Sequence, residues 1–142
     1  MNHQLHYGIV IQSYMPYKQK CTLIDRRLGM IECVFSKQPM MQRVHHGMFI
    51  EYSVVEQGAV YRLENVTILA TPAAWVAEDI LFMHHLLEMI RYFVEYGQRS
   101  SRLYDILIVL YKEIPLPDHQ HIFKKWVLCR FFFVVGIYPE NH

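Results

Sequence analysis

The sequence predicts a segregated β-then-α chain. A five-stranded, OB-type antiparallel barrel over residues 1–71 is followed by a small helical domain of about three helices over 72–142. Three observations predict it. β-rich runs broken by turn residues fill the first seventy residues. The hydrophobic period changes at Thr71-Pro72 from strand-like to helical. No helix long enough to serve as a crossover lies between the strands, so they pair with their neighbours.

The first run is Leu5 to Ser13. Leu5, Tyr7, Ile9 and Ile11 fall on one face of an extended segment, and His6, Gly8, Val10 and Gln12 on the other. Gly8 inside the run suggests a bulge or a bend at a barrel corner. Cys21-Thr22-Leu23-Ile24-Asp25 and Met30-Ile31-Glu32-Cys33-Val34-Phe35 form the next pair. Leu28-Gly29 between them supplies a positive φ, which puts Arg26 and Arg27 at a hairpin tip. This meander also fits an SH3-like barrel. Ser36 to Arg43 has no period, and Pro39 interrupts any strand, so it reads as a loop. Gly47 to Val55 is the fourth strand. Glu56-Gln57-Gly58 is a turn, and Ala59 to Leu69 is the fifth strand.

Thr71 is a good N-cap and Pro72 a good first helical residue. Val76, Ile80, Met83, Leu87, Ile90 and Val94 then form a helical stripe. Phe82, Leu86, Met89 and Phe93 widen it, which predicts burial on more than one side, and Gly97 ends it. Ser100-Ser101 caps a second helix with Leu103, Ile106, Leu107 and Leu110 inward, broken by Pro115 and Pro117. Asp118 caps a third, with Ile122, Trp126, Val127, Phe131 and Val134 inward and Gly136 and Pro139 at its end.

At 142 residues and 53% hydrophobic, the chain can bury a substantial core, and its 14% aromatic content argues against disorder. Net charge is +1, but it is unevenly spread. Residues 1–50 hold six bases (Lys18, Lys20, Arg26, Arg27, Lys37, Arg43) against Asp25 and Glu32, a balance of +4 that leaves −3 for the rest. A basic amino-terminal half fits a polyanion partner. Cys21, Cys33 and Cys129 are too scattered for a disulfide framework or zinc site. The start lacks a signal-peptide pattern, and the apolar stretch 72–96 carries Glu78, Asp79, Glu88, Arg91 and Glu95, so no membrane span is expected.

Nine histidines invite a metal reading. His45-His46 and His84-His85 are adjacent pairs whose members diverge on a regular element, and no His-x-x-x-His occurs, so no metal or other cofactor is expected. The serines lack a nucleophile-elbow context and the acids are spread over helix surfaces, so no enzyme is expected. Tyr7, Tyr14, Tyr17, Phe35, Phe49 and Tyr52 lie in or beside the barrel. Tyr14 and Tyr17 with Lys18 and Lys20 form the best local case for base stacking beside phosphate contacts. Trp126 with Phe131, Phe132 and Phe133 reads first as helical core. The sharper reading is a groove for a peptide, with Lys124, Lys125 and Arg130 at its rim holding an acidic end.

Gly8-Ile9-Val10-Ile11-Gln12-Ser13-Tyr14, Cys21 to Asp25, Leu28-Gly29-Met30-Ile31, Gly47-Met48-Phe49 and the hairpin from Glu56 to Thr71 occur in a suggestive order. So does the closing Arg130-Phe131-Phe132-Phe133-Val134-Val135-Gly136-Ile137-Tyr138-Pro139. In this order the chain resembles the RecO family of bacterial recombination and repair mediators. The resemblance implies a cytoplasmic, nucleoid-associated protein that binds single- and double-stranded DNA and anneals complementary strands. It also implies action with RecR and with single-stranded-DNA-binding protein in recombinase loading during recombinational repair of DNA damage. Lys18, Lys20, Arg26, Arg27, Lys37 and Arg43 are the expected DNA contacts. Two departures stand out. The family often has a basic Lys-Gly-Ala-Arg loop where this chain reads Ser36-Lys37-Gln38-Pro39, with Arg43 later. The family also continues through a Cys-x-x-Cys zinc element, where this sequence ends at His142, as a reduced or truncated form would. The alternative expectation is a protein-interaction module that keeps the fold with weak or no DNA binding.

Overall fold

The computed structural model describes residues 4–15, 18–36, 44–71, 80–96, 101–112 and 117–136. Five strands, β1 (Leu5–Ser13), β2 (Lys20–Asp25), β3 (Gly29–Phe35), β4 (Phe49–Gln57) and β5 (Val60–Ala70), precede three helices, α1 (Ile80–Phe93), α2 (Ser101–Lys112) and α3 (Gln120–Val134). The strands close in the order β1-β2-β3-β5-β4. This is an OB-type barrel, as expected. Four of its pairings are antiparallel, while β3 meets β5 in parallel through Cys33–Tyr61, Val34–Arg62 and Phe35–Leu63.

The barrel has two hydrophobic sides. Inside lie Val10, Cys21, Leu23, Ile31, Cys33, Phe35, Val44, Ile50, Tyr52 and Leu63, all buried. Cys21 and Cys33 face each other across β2 and β3, and burial pushes the Cys33 thiol far up, so both behave as small apolar residues. Outside, Ile9, Ile11, Ile24 and Met30 form one cluster with Met83, Leu86, Leu87 and Ile90 of α1, Leu103, Leu107 and Leu110 of α2, and Val127 and Phe131 of α3. The most apolar face of β1 therefore carries the helices, and the barrel interior takes its other face.

A buried carboxylate ties the strands together. Asp25 is 1% exposed. Its Oδ1 accepts the backbone N–H groups of Arg27 (2.8 Å) and Leu28 (3.0 Å), and its Oδ2 accepts the Tyr52 hydroxyl (2.6 Å) and pairs with His6 Nδ1 (3.0 Å). Burial, then the adjacent carboxylate, pushes the Tyr52 phenol well above its usual range, so it remains a donor. The backbone bonds shape the β2–β3 turn, which Gly29 completes at φ 80°.

Two irregularities break the simple alternation. Gly8 keeps regular register with Asp25 and Ile50, and the bulge falls instead between Val10 and Gln12. Gly8 is needed for space, because a Cβ there would lie 2.5 Å from Tyr52 Oη and 2.9 Å from Leu23 Cδ1. On β5, Asn65 takes φ 54° where the register with β4 slips. The inward set changes there from Tyr61 and Leu63 to Val66 and Ile68.

The three helices lie within the expected segments, with three corrections. His119, not Asp118, is the N-cap of α3, after a short 3-10 turn at Pro117–His119. The second stripe of α1 is buried only at Leu86, while Phe82 and Met89 are half-buried and Phe93 is 36% exposed. On α3, Ile122 and Trp126 are exposed, leaving Val127 and Phe131 as its buried anchors. All four inward residues expected of α2 are buried, and Gly136 at φ 80° terminates α3. The expected ends at Pro72 and Gly97 lie outside the described residues, as does Ser100. The Tyr111 hydroxyl of α2 donates to the Gly47 carbonyl, tying the helices to the segment before β4.

Gly8→Ala and Tyr52→Phe are each expected to destabilise the chain by about 1–3 kcal/mol in urea unfolding. Removing the hydroxyl relieves part of the clash, so the double variant is expected to cost clearly less than the sum of the two.

Candidate functional site

Of the six candidate DNA contacts, four are described. Lys37 and Arg43 lie outside the described residues, as does Tyr17. Lys18 is exposed in the β1–β2 turn, and Lys20 opens β2. Arg26 and Arg27 are exposed at the β2–β3 tip, on the Asp25-pinned turn. The two pairs therefore stand at opposite ends of β2, about 17 Å apart along a six-residue strand.

At the Lys20 end the outer face of β2 and β3 is polar and aromatic, whereas Ile24 and Met30 at the Arg26 end are buried under the helices. Lys20 Nζ lies 2.5 Å from Glu32 Oε1 and 5.2 Å from the Tyr14 ring centroid. The Glu32 carboxylate, then the phenols of Tyr14 and Tyr96, raise the Lys20 ammonium above its ordinary value. Tyr14 is oriented by its hydroxyl, which donates to Gln12 Oε1 at 3.0 Å. A groove of about 330 Å³ runs beside this pair, lined by Met30, Ile31, Glu32, Ala59, Tyr61 and Tyr96. Tyr96 is 62% exposed and reaches β3 through a backbone bridge to Met30. The exposed patch thus carries Lys18, Lys20, Tyr14 and Tyr96, with Glu32 its acid and Tyr61, which packs on the barrel interior, at the edge of its groove; Arg26 and Arg27 stand beyond the helix-covered Ile24 and Met30.

The other barrel aromatics are committed to packing. Tyr52 and Phe35 fill the interior, and Tyr7 and Phe49 pack beneath the helices, Phe49 against Tyr104 and Tyr111. Tyr61 and Tyr96 carried no local signal, because β5 and the end of α1 meet β3 only in the folded chain.

The helical pocket differs from its sequence reading. A cavity of about 370 Å³ between α2 and α3 is lined by Arg102, Asp105, Ile106, Trp126, Arg130, Phe133 and Val134. Arg130 lies over the Trp126 ring at 5.7 Å. Trp126 is 42% and Phe133 55% exposed, so this part of the aromatic run is surface. Of the three rim residues expected, only Arg130 lines it. Lys124 turns toward α1, over the Phe82 ring at 5.6 Å, and Lys125 is exposed. Arg102, from α2, is the basic partner that sequence spacing along α3 did not reveal.

No protein-family model matches the chain, and no curated protein matches it. Among solved structures, silver(I)-bound CusF from Escherichia coli aligns at 15% identity over 46% of this chain and 90% of that one, with a TM-score of 0.41. Apo-CusF from the same organism aligns at 15% identity over 46% and 86%, with a TM-score of 0.39. Likeness at that level carries no inference about function. Among the described residues, no group of three or more His, Cys, Asp or Glu is placed to hold a metal ion, and no helix is long and apolar enough to cross a membrane.

Trp126→Ala is expected to change stability by less than about 1 kcal/mol, because the ring is partly exposed, whereas Phe131→Ala is expected to cost about 3–5 kcal/mol. Thermal unfolding of the two variants checks the assignment of surface and core.

Proposed function

We propose that the chain is a non-enzymatic, RecO-like DNA-binding mediator. Its barrel holds the phosphate backbone along the β2–β3 face, and its helical pocket takes a protein tail. The observation that carries this reading is the patch just described, with Lys18, Lys20 and the rings of Tyr14 and Tyr96 at one end of β2 and Arg26 and Arg27 exposed at the other. A single strand reaching both ends of β2 would meet cations at each and, at the Lys20 end, rings on which bases stack. Such contacts hold the backbone without consuming the pairing edges of the bases, as annealing requires. The α2–α3 pocket adds two guanidinium groups around Trp126 and Phe133, which suits an acidic peptide ending in an apolar residue and a free carboxylate. The tail of a single-stranded-DNA-binding protein has that chemistry, and a RecR-like protein is the further partner this reading supplies.

A second reading, a protein-interaction module with weak DNA affinity, draws on the Lys20–Glu32 pair. Glu32 offsets one of the four described cations within the patch.

Fluorescence anisotropy with labelled single-stranded DNA across a salt series tests the proposal. Each backbone phosphate neutralised contributes about 0.7 to the slope of log K against log salt, so Lys18, Arg26 and Arg27 predict a slope of roughly −2. Arg26→Ala/Arg27→Ala is expected to reduce it to about −0.7, and Glu32→Gln, which releases Lys20, to steepen it to about −2.8. An absence of binding at low salt, with retained capture of an acidic-tail peptide lost on Trp126→Ala, would support the second reading.

A further inference from the structure

The segment before β4 and the first helix bring together residues that lie far apart in sequence. Ser13, Met15, His45, His46 and His84 line a pocket of about 310 Å³ beside the β1–β2 turn. Two facts decide what its chemistry suits. The Ser13 backbone N–H donates to His46 Nδ1 at 2.8 Å. Because that nitrogen accepts, a neutral His46 carries its proton on Nε2, so Nε2 is a donor and has no lone pair for a metal. The Ser13 hydroxyl oxygen accepts the Met15 N–H at 3.3 Å, which leaves its own proton for another acceptor.

The surroundings are of one sign. Desolvation, then His84, His45 and Arg91, hold the His46 imidazole below its ordinary range. His45 adjoins His46 on the same segment, and His84 and Arg91 face it from α1. Among the described residues no carboxylate lines the pocket, and Glu88, four residues beyond His84, lines the separate groove with Phe82 and Tyr92. Among its described lining residues the pocket therefore offers the His46 Nε2–H and the Ser13 hydroxyl as donors, with Arg91 the positive charge that acts on it from α1.

We propose that this pocket binds a phosphate group, held by His46 Nε2–H, the Ser13 hydroxyl and the imidazoles of His45 and His84, with Arg91 supplying further positive charge. The inference stands apart from the DNA reading: a phosphodiester in a polymer and a small phosphate present the same acceptor oxygens.

The test is a titration of the full chain followed by the imidazole resonances of His45, His46 and His84, with dimethyl phosphate, inorganic phosphate and a short oligothymidylate as probes. Dimethyl phosphate is expected to move all three imidazoles together and to lose about threefold or more in affinity in His84→Gln. That exposed substitution leaves the His46–Ser13 bond intact. Shifts equal to those in chloride of matched ionic strength overturn the proposal. So does zinc(II) titrating all three imidazoles while dimethyl phosphate moves none. An oligonucleotide that binds without moving these imidazoles overturns the pocket and leaves the DNA reading standing. Phosphate that binds here while the oligonucleotide fails to bind anywhere supports the pocket and removes the DNA reading.

Discussion

A carboxylate taken out of water must find partners for both oxygens, and Asp25 finds four donors. Those donors come from β1, β4 and the turn after β2, so one side chain fixes three parts of the barrel at once. The cost of leaving any partner unpaired in the interior makes this arrangement close to all-or-none. Its consequences reach outward. Tyr52 meets the carboxylate only because Gly8 leaves room for its hydroxyl. The turn that presents Arg26 and Arg27 is shaped by the same carboxylate, so the exposed cations sit on backbone held from the core.

The second constraint is that β1 is buried on both sides over Gly8 to Ile11. A barrel strand with an interior face and a helix-covered exterior cannot stand in a barrel alone, and the helices complete it. Ile9, Ile11, Ile24 and Met30 therefore belong to the same cluster as Phe131 near the far end of the chain. The helices cover the Ile24–Met30 end of the β2–β3 exterior and leave Lys20, Glu32 and Val34 at the surface. Barrel and helices thus share a core while each keeps an open surface of its own, one tyrosine-lined and one built on Trp126 and two arginines.

How much of this was legible in the sequence depended on range. Gly29 marks a positive φ within its own hairpin, so the position of Arg26 and Arg27 followed from local pattern. The four inward residues of α2 followed from helical spacing. Which face of β1 entered the barrel did not, because the more apolar face, with Ile9 and Ile11, turns outward and only the helices account for it. Nor did the bulge at Asn65, since asparagine tolerates positive φ without requiring it. The histidines show the limit most clearly. Adjacent pairs are expected to diverge, yet the fold places both His45 and His46 of one pair, with His84 of the other, in one pocket. Arg102 and Arg130, and Tyr61 and Tyr96, meet for the same reason: each pair joins elements that only tertiary packing brings together.

The central claim is that nucleic acid meets the β2–β3 hairpin at two places, the Lys18–Lys20 end and the Asp25-pinned tip, on either side of the helix-covered Ile24 and Met30. Mapping backbone amide shifts of the full chain on addition of single-stranded DNA tests it most directly. The account predicts changes at both ends of β2, at Lys18 to Lys20 and at Arg26 to Met30, together with Tyr61 and Tyr96 beside the Lys20 end. Changes confined to the α2–α3 pocket, or to one end of β2 with the tyrosines unmoved, would contradict it.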